Sequence, residues 1–206
     1  MRKPRQQREA RILMKTNEYP SDWNDPKWMD DVAIEWEADT NRTPYWWLRF
    51  YGVQSGQFAR MHFATIYNPI PDMVAWLDHL SKGHPTGPVR VDEEGWYLRF
   101  WARPLADPPE ADLFELRIEE VEYLGFDEDE EDCKVIKTHL LLKTQRGLFV
   151  ARLKRILLGV VKQYRMEVEK SPSGIIDADG WCFGMRGRIW KDVIARLDEI
   201  ETEKIP

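Results

Sequence analysis

A two-residue period of apolar side chains, recurring in segment after segment, limits the folds open to this chain more than any other feature. Val32, Ile34 and Trp36 alternate with Ala33, Glu35 and Glu37, and Phe114, Leu116 and Ile118 alternate with Glu115, Arg117 and Glu119. Successive side chains of a strand point to opposite faces, so such alternation marks a strand with one buried and one wet face. Further β-rich runs cover Tyr45–Val53, Phe58–Tyr67, Val89–Asp92, Trp96–Arg103 and Val135–Lys143. The separators are short. Gln54–Gln57 and Glu93–Gly95 have the length and chemistry of hairpin turns, which join antiparallel neighbours.

Three segments carry the helical period instead. Asn68-Pro-Ile-Pro-Asp72 opens a helix with a proline in its first turn and an early acid. Met73, Val74, Leu77 and Leu80 form its stripe, and Gly83 stops it. Leu148–Tyr164 is a second amphipathic helix, and Ile189–Glu203 a third, with Trp190, Val193, Ile194, Leu197 and Ile200 on one side. The expected fold class is α+β: one antiparallel sheet of about six to seven strands with three helices packed mainly on one face. Residues 1–30 read as a basic N-terminal arm, with six Lys/Arg against Glu9 over the first sixteen positions and breaks at Pro20 and Pro26. Residues 31–206 read as a single domain.

At 206 residues the chain can bury a substantial core, and 43% hydrophobic residues exclude a disordered polymer. No apolar run approaches the roughly 18 residues of a membrane-spanning helix, and no apolar stretch follows the basic start as a secretory signal requires. Cys133 and Cys182 are far apart and fit no metal or redox spacing. Reduced thiols and a cytoplasmic location are therefore expected.

Charge is segregated along the sequence. From Asp107 to Asp132 thirteen acids face Arg117 alone, ending in Asp127, Glu128, Asp129, Glu130, Glu131 and Asp132. From Lys134 to Lys170 ten Lys/Arg face only Glu167 and Glu169. Segregation of this kind builds fields that steer partners. The acidic run is expected to meet a protein with a basic surface. Ten tryptophans are a second oddity. Most fill cores, but Trp also anchors interfaces, and the adjacent Trp46-Trp47 puts at least one ring outside unless both faces of its strand are covered. Trp46 and Trp101 are the candidate anchors.

Motifs of catalysis are missing. The histidines, His62, His79, His84 and His139, fit no zinc-ligand spacing, and no nucleophile elbow or Walker loop is present. Gly184-Met-Arg-Gly-Arg188 lacks the phosphate-loop ending, and Asp177-Ala-Asp-Gly180 lacks the rest of a calcium loop. No cofactor or metal is called for.

The helix Met73-Val-Ala-Trp-Leu-Asp-His-Leu80, the hairpin across Pro88–Arg103 and the alternating strand Leu113–Val121 resemble small bacterial immunity proteins of polymorphic or contact-dependent toxins. The resemblance implies a cytoplasmic, acidic α+β protein that blocks a toxin's active surface. A non-catalytic binding module is thus the first expectation. An enzyme or small-ligand protein lined by Trp46, Trp101 and His62 is the second. A nucleic-acid regulator, using the basic arm with Arg152, Lys154, Arg155 and Lys162, is the third, and the acidic whole chain weighs against it.

Overall fold

The computed structural model describes residues 29–39, 45–63, 69–84, 86–92, 97–105, 112–122, 134–170 and 187–200. Along the chain come β1 (Val32–Asp39), β2 (Tyr45–Gly52), β3 (Phe58–Phe63), α1 (Ile70–Ser81), β4 (Thr86–Asp92) and β5 (Tyr97–Pro104). β6 (Leu113–Val121), β7 (Val135–Gln145), α2 (Arg146–Lys170) and α3 (Gly187–Glu199) complete the order. The fold is α+β, and every strand pairing is antiparallel.

The single sheet expected from the sequence is instead two, a three-stranded β1-β2-β3 and a four-stranded β4-β5-β6-β7. The break falls between β3 and β7, where one side chain stands in for a strand. Gln57 Nε2 donates to Leu141 O at 3.1 Å, and Leu141 N donates to Gln57 Oε1 at 2.7 Å. A carboxamide has the donor and acceptor of a peptide group, so it satisfies one residue of the β7 edge. Two residues further along, Met29 makes an isolated parallel bridge to Lys143, and Asp30 N donates to Lys143 O at 2.9 Å.

One continuous core nevertheless draws residues from every strand and helix. Phe149 of α2 is at its middle, with ring centroids 5.1 Å from Phe114, 6.1 Å from Trp76 and 6.5 Å from Phe50. Those three partners belong to the four-stranded sheet, α1 and the three-stranded sheet respectively. Phe50 also meets Phe100 across the sheets at 5.5 Å.

Local chemistry sets the ends of the elements. α1 ends where Gly83 takes a φ of +71°, a conformation that costs other residues about 1–2 kcal/mol. α2 follows β7 without a loop and has no acid in its first turn. Asp112, just before β6, supplies the cap: its carboxylate accepts from Gly147 N at 2.5 Å and from Arg146 Nε at 2.6 Å. Asp30 does the same for the β2–β3 turn, accepting from Gln54 N and Ser55 N at 2.8 Å each.

Candidate functional site

The two sheets turn different surfaces away from the core. On the four-stranded sheet, register sets Arg99 beside Glu119, Trp101 beside Arg117, and Arg103 beside Glu115, with Lys143 flanking Glu115 from β7. Alternation alone predicts a wet face here. The structure shows a buried ladder instead, with Glu115 and Glu119 only 4% and 3% exposed. Glu119 accepts from Arg99 Nη2 at 2.8 Å, from Trp101 Nε1 at 3.2 Å and from Arg117 Nη1 at 3.4 Å. Arg117 Nη2 also donates to Glu115 Oε1 at 3.1 Å. Ion pairs make such burial tolerable, since an unpaired charge there would cost several kcal/mol. Burial pushes the Glu115 carboxyl above its usual range, and Arg117 only partly offsets this. These acids are engaged by the cations of their own sheet.

The three-stranded sheet has an outer face arranged in rows, exposed at Glu35, Glu37, Phe58 and Arg60 and half-buried at Ala33, Trp47, Arg49 and Tyr51. Ala33, Tyr51 and Phe58 lie abreast, then Glu35, Arg49 and Arg60, then Glu37 and Trp47. Phe58 is 42% exposed, and Glu35, Glu37 and Arg60 are exposed as well. Tyr51 and Phe58 have ring centroids 5.0 Å apart. The Arg60 guanidinium lies 3.7 Å over the Trp47 ring, and Arg49 pairs with Glu37. A guanidinium over an indole gains about 0.5–1 kcal/mol at an exposed site and holds both groups flat. Among the described side chains of this face, two arginines stand against two glutamates, a near-neutral set.

Of the residues singled out by sequence, Trp101 is half-buried within the charge ladder, its N–H bonded to Glu119. Trp46 lies in β2, in register with Ala38 and Phe63, and its side chain falls outside the described residues. The same holds for the side chain of His62 and for the whole run Asp127–Asp132. That run belongs to the connection closed by the bond from Glu122 N to Lys134 O at 2.9 Å. The arm before Met29, Cys133, Cys182 and the loop through Gly180 are likewise outside the described residues. Trp47 is the member of the tryptophan pair seen on the open face. The alternation of β2 could have found it, and the arginine stacked on it leaves no trace in a single sequence.

Two of the cations named for phosphate contact are tied into the fold. Arg152 pairs with Asp31 and donates to Val32 O at 2.8 Å, and Lys154 donates to Ile200 O at 2.7 Å. Arg155 and Lys162 are exposed. Among the described residues no three His, Cys, Asp or Glu side chains are grouped to hold a metal ion. His139 meets Glu120 at 3.0 Å, and His79 packs edge-on to His84 with ring centroids 6.3 Å apart. No helix among the described residues is long and apolar enough to cross a membrane. No protein-family model, no curated protein and no solved structure matches the chain.

Proposed function

We propose that this chain is a non-catalytic protein-binding module, an inhibitor of the immunity type that masks a partner with a basic surface. The observation that carries the reading is the open face of β1–β3. Trp, Tyr and Arg supply most hot-spot energy at protein interfaces, and here Trp47, Tyr51, Arg49 and Arg60 share one face with the exposed Phe58. Its near-neutral charge suits a protein better than a phosphate backbone, which needs an excess of cations. Engagement of Arg152 and Lys154 inside the fold favours the same choice over nucleic acid.

The acidic run supplies the sign of the partner. Six consecutive acids from Asp127 to Asp132 steer a basic surface toward the molecule and raise the association rate. The test is kinetic. Replacing the six by Asn and Gln is expected to slow association with the captured partner and to flatten its salt dependence, with the melting temperature unchanged. An unchanged on-rate would remove the run from the mechanism.

A further inference from the structure

We infer that the partner meets the open face of β1–β3 as a single amphipathic helix, an inference that rests on the protein-binding reading above. Size is the first reason. Three strands about 4.8 Å apart and some six residues long give a face of roughly 14 by 20 Å, or about 300 Å². A standard interface between two folded proteins takes about 800 Å² from each, so this face by itself accommodates one element of a partner. A helix about 10–12 Å across matches the width of the face.

Layering is the second reason. The inner side of this sheet is already covered, with Val32, Leu48, Phe50, Ala59 and Met61 in the shared core. A helix on the outer side completes a three-layer arrangement in which both faces of the sheet are packed. Charge is the third. Glu35 is exposed on β1, while Arg60 is exposed on β3 at the opposite margin of the same row. Arg49, between them in register, turns to Glu37. The complementary helix therefore sets apolar residues over Tyr51 and Phe58, a lysine or arginine beside Glu35, and a carboxylate beside Arg60. A helix with a basic margin also agrees with the sign of partner that the acidic run selects.

Site-specific photo-crosslinking tests this. A benzophenone analogue of phenylalanine is placed at position 58 of the full chain, or at exposed Ile136 on the other sheet as a control. Each protein is irradiated in source-cell lysate, and the cross-linked peptides are sequenced. The expected result is one partner peptide, joined from position 58 and not from 136, that lies in an amphipathic helix with a basic margin. Phe58→Asp is expected to lower capture of that partner at least about tenfold, the scale of a hot-spot residue, with an unchanged melting temperature. A partner joined only from position 136, a loop or strand peptide at position 58, or a second copy of this chain there would overturn the helix while leaving protein binding intact. Capture of no protein at any salt would overturn the protein-binding reading and the helix with it.

Discussion

Phe149 holds three parts of the fold in one ring system, so its loss is felt by both sheets and α1 together. Phe149→Ala is expected to destabilise by about 3–5 kcal/mol in urea unfolding, the usual cost of a large buried aromatic. Glu119 is a polar counterpart. It gathers Arg99, Arg117 and Trp101, and Glu119→Ala leaves the buried Arg99 and the half-buried Arg117 without that carboxylate. A cost of about 3–5 kcal/mol is expected. Glu115 acts in the opposite sense. Its carboxyl titrates above the ordinary 4.5, so between 4.5 and the folded value the native state holds more protons than the unfolded chain. Its contribution to stability therefore falls as pH rises through that window, and Glu115→Gln should remove this slope from a pH series of urea midpoints. For Asp30, burial pulls the carboxyl upward, but hydrogen bonds from Ser55 and Gln54 outweigh it and set the value below 3.8. Its stabilisation is present above pH 3.8 and is lost as pH falls through the folded value, so Asp30→Asn should lower stability at neutral pH and remove this part of the acid-induced loss.

Among the elements, Gln57 bridges the two sheets through its side chain. Gln57→Leu takes both partners from the Leu141 peptide groups. A loss of about 1–3 kcal/mol is expected, with faster hydrogen exchange at the Leu141 amide. Strands and helices were largely legible from period alone: β2 begins at Tyr45, α1 ends just before Gly83, and each hairpin pairs as its turn implies. The split of the sheet was not, because which strand edges meet is set by contacts between residues far apart in sequence, such as Gln57 and Leu141, 84 residues apart. The wet face assigned to β6 was misread for a related reason. Alternation reports that Glu115 and Glu119 share a side, and it is silent on what covers that side. The open face was half legible: the rows of β1–β3 follow from alternation and one hairpin turn, whereas the Arg60–Trp47 and Arg49–Glu37 contacts need coordinates.

For the whole molecule, charge that is segregated in sequence is partly recombined in space. The acids of β6 meet Arg99 from the preceding strand and Arg117 from their own, while basic α2 turns Arg152 to Asp31 beside β1. In the reading proposed above, the run Asp127–Asp132 selects a basic partner by its sign, and the outer face of β1–β3 receives it. The most direct measurement of that account is affinity capture by the full chain from nuclease-treated lysate and secreted protein of the source cell, at low and at moderate salt. One basic protein is expected, retained at low salt, weakened as salt rises, and lost with Phe58→Asp. Recovery of nothing at either salt, or of a protein equally bound by that variant, would contradict that reading.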